Sequence, residues 1–260
     1  MKGFLRPGPR GCAIMGSIMP ASLLDILFPS LCPVCGGGMD RGDGGEGGPG
    51  FCRECTGGIT GISGAVCTVC GIPFQSEDGP DHTCGECIGR RVPFVRARSA
   101  VVYDGAALEA IHRFKYRGEF SLAVPLGRMI AEAAARLDTG GFDLVVPVPL
   151  HSARLRERGF NQSLLLAREV AKTFSSEVDC LSLKRTRMTR PQIELKGEER
   201  RKNVKGAFEL TGEGGDGEFK GKSVLLVDDV FTTGATAREC STILKRAGAE
   251  VFVATVARVV

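Results

Sequence analysis

Between residues 223 and 236 the chain reads Ser223-Val224-Leu225-Leu226-Val227-Asp228-Asp229-Val230-Phe231-Thr232-Thr233-Gly234-Ala235-Thr236, an order that few folds can accommodate. The uninterrupted aliphatic run has no polar face to offer water, so it reads as a parallel strand buried on both sides. Two adjacent carboxylates follow, then a small-residue turn that opens a helical pattern. That puts Asp228 and Asp229 at the carboxyl end of a strand, where open α/β sheets bind ligands. The turn at 232–236 offers hydroxyls and backbone N–H groups at a helix N-terminus, a ready anion site. Acids beside an anion cradle suit a ligand with both hydroxyls and a phosphate, and a ribose 5-phosphate meets that description. Paired acids after a strand also occur in receiver domains and metal-dependent phosphatases; it is the continuous string that separates this chain from them.

The surroundings fit. From residue 92 onward aliphatic runs alternate with polar helical stretches, the pattern of an α/β domain with a mostly parallel sheet and flanking helices. Strands are expected over 97–103, 144–148, 223–227 and 251–257, and helices over 106–114, 122–137, 161–174 and 235–247. The second strand runs into a basic stretch containing Arg154 and Arg158. Guanidinium groups there suit a phosphate-bearing ligand, with a solvated helix start as the plainer alternative. A further basic segment over 190–208 reads as a mobile arm leading into a strand. It could close over a ligand, present Lys184, Arg185, Arg187, Arg190, Arg200, Arg201 and Lys202 to a nucleic-acid backbone, or lie solvated.

The first third is built differently. Eight of the eleven cysteines form four C-x-x-C pairs: Cys32 with Cys35, Cys52 with Cys55, Cys67 with Cys70, and Cys84 with Cys87. Two thiolates two residues apart can grip one ion, and the glycines after Cys35 and Cys70 permit the tight turn toward the sulfurs. The segment has few large aliphatics, so metal must replace the missing core. Sequential assignment gives two zinc sites of four thiolates each, filled by protein and therefore structural. An Fe–S cluster, a cross-brace joining the first pair to the third, redox-active thiols, or His82 as a substitute ligand remain open. Residues 1–20 read as a disordered tail, 21–91 as a double zinc ribbon with a short leading helix, and 92–260 as the α/β domain.

A net charge of +4 over 260 residues exerts no global pull toward nucleic acid. No apolar run reaches the length of a membrane span, and no secretory h-region opens the chain. With so many unbridged cysteine pairs, a reducing cytoplasmic location is expected.

The string at 223–236 resembles the phosphoribosylpyrophosphate motif of type I phosphoribosyltransferases over its whole length. The resemblance implies that fold, with Asp228 and Asp229 on the ribose 2′ and 3′ hydroxyls. It puts Thr232, Thr233, Gly234, Ala235 and Thr236 around the 5-phosphate of 5-phosphoribosyl-1-pyrophosphate, and Arg154 and Arg158 at its pyrophosphate, with Mg²⁺ accompanying the ligand. Together with 24–36, the cysteine pairs, 114–118, 146–162 and 192–208, it is similar to the ComF/GntX family, phosphoribosyltransferase-like bacterial proteins with an N-terminal double zinc ribbon. Membership implies a role in natural competence and in handling incoming single-stranded DNA, with a competence helicase as a candidate partner. Two functions follow: transfer of phosphoribosyl to an unnamed acceptor, or a non-enzymatic binding module that retains the pocket. Oligomeric state stays open.

Overall fold

The computed structural model describes residues 29–40, 50–75, 79–189, 197–211 and 218–260. The expected tail and leading helix, and the 190–196 part of the basic arm, lie outside them. Short helices α1 (Arg53–Gly57) and α2 (Gly85–Ile88) begin directly after Cys52 and Cys84. The α/β part then runs β1 (Ala97–Val102), α3 (Gly105–Tyr116), a 3₁₀ turn (Phe120–Leu122) and α4 (Ala123–Ala135). Next come β2 (Leu144–Pro147), α5 (Ser152–Arg158), α6 (Gln162–Phe174) and β3 (Glu177–Val178). The chain continues as β4 (Leu183–Arg185), α7 (Gly197–Val204), β5 (Phe208–Leu210), β6 (Ser223–Phe231), α8 (Ala235–Arg246) and β7 (Glu250–Arg258).

Five strands pair in the order β1-β7-β6-β2-β3, each pair parallel, and β4 with β5 makes a separate antiparallel hairpin. The strand period of two splits the β6 run between faces. Leu225 and Val227 pack with Ile111, Leu126, Ile130, Leu166 and Val170 of α3, α4 and α6. Val224 and Leu226 pack with Cys240 and Leu244 of α8 and with Leu183 and Phe208 of the hairpin. Both faces are covered, which is why the run contains no polar residue until the acids.

The cysteine segment contributes to both layers rather than forming a core of its own. Cys32, Phe51, Cys52 and Cys55 join the first, and Cys67, Cys70 and Cys87 join the second. Between them the chain pairs with the open side of β1, Ile62 N–H donating to Ala100 O at 3.2 Å and Val102 N–H to Thr60 O at 2.9 Å. An edge strand that would otherwise expose free backbone groups is thereby closed. Among the described residues no helix is long and apolar enough to cross a membrane.

Candidate functional site

β6 is longer than its aliphatic run. The strand was expected to stop at residue 227 but extends to Phe231, so the two acids sit within its last four residues instead of just beyond it. The cause is unequal pairing on its two sides. Pro147 opposite Val227 is the last β2 partner, after which Val148 N–H donates to Val227 O at 2.9 Å and that chain turns away. On the other side β7 continues, with Asp228 opposite Thr255 and Phe231 opposite Arg258. The departure of β2 opens a crevice along one flank of β6, and the carboxylates line it.

The cleft is lined by Asp228, Asp229, Thr232 and Thr236 on one side and by Arg154, Arg158 and Arg185 on another. Tyr103, His112, Lys115, Tyr116, Gln162 and Ser163 are also among its lining residues. Helix α5 presents the first two arginines, its start capped by His151 Nδ1 accepting from Ala153 N–H at 3.2 Å. Asn161 caps α6 through Ser163 N–H, and the Ser163 hydroxyl donates to Asp228 Oδ1 at 3.0 Å.

The two acids have different settings. Asp228 Oδ1 accepts from Ser163 and from Asp229 N–H at 2.9 Å. Burial, followed by the like charge of Asp229, pushes the Asp228 carboxyl up to about 7 against the pull of Lys115. Asp229 instead forms an ion pair with Lys115, Nζ to Oδ2 at 2.9 Å. Burial pulls Lys115 down, and the Asp229 carboxylate more than offsets it, leaving the ammonium above its usual range. Lys115, on the last turn of α3, lies in the 114–118 stretch that carries the family resemblance but was given no site role from sequence.

The turn after β6 carries Gly234 at φ +71°, where a Cβ would stand 2.4 Å from Phe231 Cζ. Gly234 and Ala235 line a smaller recess next to the cleft together with Thr232 and Thr236. Thr233 lines neither hollow, and its Oγ1 is buried without a hydrogen-bond partner. Gly234 is the N-cap of α8 and supplies no side-chain cap to the first N–H groups of that helix. Donors of this kind, an orphaned hydroxyl and an uncapped helix start, match what a phosphate group accepts.

The three arginines differ. Arg158 donates to Gln162 Oε1 at 2.6 Å and lies 5.1 Å from the Tyr116 ring centroid. Arg185 was read from sequence with the nucleic-acid-facing set, yet the β4–β5 hairpin turns it into the cleft. It donates to Thr189 Oγ1 and packs over Phe208, while its Nε is buried without a partner. Burial lowers the Arg185 pKa from its ordinary value, and among the described residues no carboxylate forms an ion pair with it. A tertiary turn of this sort leaves no mark in a basic stretch of sequence.

The cysteines assemble in sequence order. Cys32, Cys35, Cys52 and Cys55 form one cluster and Cys67, Cys70, Cys84 and Cys87 the other, with the sulfurs of each within 4.8 Å of one another. The cross-brace is thereby excluded. His82 belongs to neither cluster and stacks on Phe74, ring centroids 3.7 Å apart. Backbone N–H groups point at the sulfurs, Cys52 N to Cys32 Sγ at 3.4 Å and Cys84 N to Cys67 Sγ at 3.3 Å. Burial pushes Cys32 and Cys67 up, and these donors outweigh it, bringing both thiols down to about 6. Two preformed all-thiolate sites are consistent with two zinc ions.

A parallel α/β domain with an acid pair and a hydroxyl-rich turn at one end of its central strand, joined to two Cys₄ sites, defines the class of protein. Residues 23–88 match the family model described as a double zinc ribbon domain. The chain is 33% identical over 189 residues to the DNA utilization protein YhgH of Salmonella typhimurium, covering 71% of this chain and 80% of that protein. It is 30% identical over 171 residues to Competence protein F of Haemophilus influenzae, covering 64% and 74%. Competence protein ComFC of Bacillus subtilis is 28% identical over 180 residues, covering 66% and 68%. The chain belongs to the ComF family of DNA-utilization and competence proteins. Similar solved structures include a glutamine phosphoribosylpyrophosphate amidotransferase from B. subtilis, with 23% identity, TM-score 0.34 and coverage of 52% of this chain and 26% of that one. A hypoxanthine phosphoribosyltransferase from Staphylococcus aureus has 15% identity, TM-score 0.31 and coverage of 50% and 61%. Likeness at this level concerns the fold alone.

Proposed function

We propose that the cleft binds 5-phosphoribosyl-1-pyrophosphate with Mg²⁺, and that the protein is a cytoplasmic phosphoribosyltransferase-like member of a DNA-uptake system, acting on an acceptor still to be identified. The observation that carries this reading is the convergence on one hollow of the acid pair, Thr232 and Thr236 of the turn, and three arginines. Asp228 and Asp229 would hold the ribose hydroxyls and offset positive charge developing on the sugar as its anomeric bond loosens. The turn, through Thr232, Thr236 and the first backbone N–H groups of α8, would take the 5-phosphate, and Arg154, Arg158 and Arg185 would neutralise the departing diphosphate. No covalent nucleophile is needed. Mg²⁺, when bound with the ligand, supplies electrostatic neutralisation of the diphosphate. Calorimetric titration with the sugar diphosphate and Mg²⁺ tests the reading. The wild type should bind, and Asp228→Asn with Asp229→Asn should abolish binding while the protein stays folded; unchanged affinity would overturn it.

A second reading, a non-enzymatic module for single-stranded DNA or a helicase partner, draws support from the names of the curated relatives. It also draws on the exposed Lys184, Arg187 and Lys202 beside the cleft's hairpin. Affinity for single strands should then fall steeply with salt and weaken in Arg200→Ala with Arg201→Ala. A flat salt dependence removes this second function.

A further inference from the structure

The Lys115–Asp229 pair differs in kind from the other ion pairs of the chain. Among the described residues it is the one in which both side chains are largely buried, 17% and 6% exposed. It also stands at a junction, since Lys115 lines both the main cleft and the adjoining hollow formed with Tyr116, Gly118, Arg154 and Arg158. Two adjacent carboxylates at the end of a strand would by themselves be a hard, oxygen-rich pair attractive to any divalent cation. With Lys115 in contact, one of the two negative charges is already matched.

We propose that Lys115 sets the specificity of the site by occupying Asp229, so that the acid pair does not take up a free divalent cation and admits the metal only together with an anionic sugar diphosphate. This rests on the reading of the cleft given above and adds a role that the sugar-phosphate motif does not contain. The chemistry is a charge count. A fixed ammonium 2.9 Å from Asp229 repels a bare divalent ion. A metal–diphosphate complex brings its own negative charge, and the same ammonium attracts it. Lys115 therefore discriminates between the two forms of the metal without moving.

The test is a gain of binding, which a merely structural lysine would not produce on removal. Free Mn²⁺ is counted by electron paramagnetic resonance during titration of the zinc-loaded protein; the all-thiolate sites are too soft to compete for it. Wild type should bind Mn²⁺ weakly, Lys115→Met roughly tenfold or more tightly, and Lys115→Met with Asp229→Asn weakly again. Equal binding by wild type and Lys115→Met, or retained tight binding in the double variant, overturns the proposal. Should loss of the ion pair lower the folded fraction of Lys115→Met, Mn²⁺ must raise the melting temperature of that variant and not of wild type; the absence of that rise counts equally against it. Wild-type titration with the sugar diphosphate and Mg²⁺ is scored separately, so failure of the ligand reading and failure of the lysine's role are told apart.

Discussion

The guanidinium of Arg258 donates to the carbonyl oxygen of Cys70 at 2.6 Å, tying the last residue of β7 to a knuckle of the second cysteine cluster. The same group lies 4.5 Å from the ring centroid of Phe231, the residue against which Gly234 of the turn is packed. Cys70, Arg258, Phe231 and Gly234 thus form one packed line from the second cysteine cluster to the proposed phosphate cradle. Arg258→Met would leave a buried carbonyl without its charged donor and should cost about 1.5–3 kcal/mol. Urea denaturation of the zinc-loaded protein measures it, with a lower midpoint and an unchanged slope as the expected result.

Gly234 tests the turn directly. An alanine there adds the cost of a left-handed backbone, about 1–2 kcal/mol, and a methyl group 2.4 Å from Phe231 Cζ. Gly234→Ala should destabilise by more than the backbone term alone. In a double-mutant cycle with Phe231→Ala the overlap disappears while the backbone strain persists, so the two changes should couple by about 1 kcal/mol or more. Strict additivity would show that the ring and the turn do not touch in solution.

The long periodic elements were legible in sequence because burial on both sheet faces demands continuous aliphatic runs. Helices over 105–116, 162–174 and 235–246 stand within two residues of their expected bounds. The strand after the basic segment is present as β5, but β4, which pairs with it, and the two-residue β3 were not foreseen, being too short to show a period. The continuation of β6 through its acids depends on β7 being longer than β2, a fact about partners that no local pattern contains. Lys115 stood within the 114–118 stretch of the family resemblance, but its place in the site was not read, because a lysine in the last turn of a helix is ordinarily a solvated charge facing the helix dipole. The cysteine pairs, by contrast, were readable because a two-residue spacing is itself half the geometry of a site, while which pairs share a site stayed open until the fold grouped them in sequence order.

Metal content gives an independent check on the ribbons. The protein should carry two zinc ions per chain, since each cluster presents four sulfurs within 4.8 Å. Cys32→Ser with Cys35→Ser should reduce that to one while the second cluster keeps its ion, as read by elemental analysis after gel filtration. Stability should fall as well, because Cys32 and Cys52 belong to the same buried layer as Ile111 and Leu126. Loss of both ions from the double variant would show that the two ribbons fold as one unit.

The raised pKa of Asp228 makes a prediction whose sign can be worked out. Its carboxyl stands at about 7 in the fold against an ordinary value of 3.8, first because it is buried and then because Asp229 is adjacent. Between those values the folded protein holds a proton that the unfolded chain has released. The unfolded state then binds fewer protons, so this group makes stability fall as pH rises from about 4 to about 7, with no further change from it above that range. Asp228→Asn cannot titrate. Its urea midpoint should therefore lose the part of the pH 5 to pH 8 decline that wild type owes to this carboxyl, and at pH 8 the variant should be the more stable of the two. Ligand affinity should move the other way. A ribose hydroxyl and a metal–diphosphate complex both favour the ionised acid, so calorimetric affinity for the sugar diphosphate with Mg²⁺ should strengthen between pH 6 and pH 8, while stability across the same interval declines or levels off. A wild type whose affinity and stability both stay flat over that interval would mean that Asp228 is already ionised throughout, and that Lys115 and Ser163 offset its burial completely.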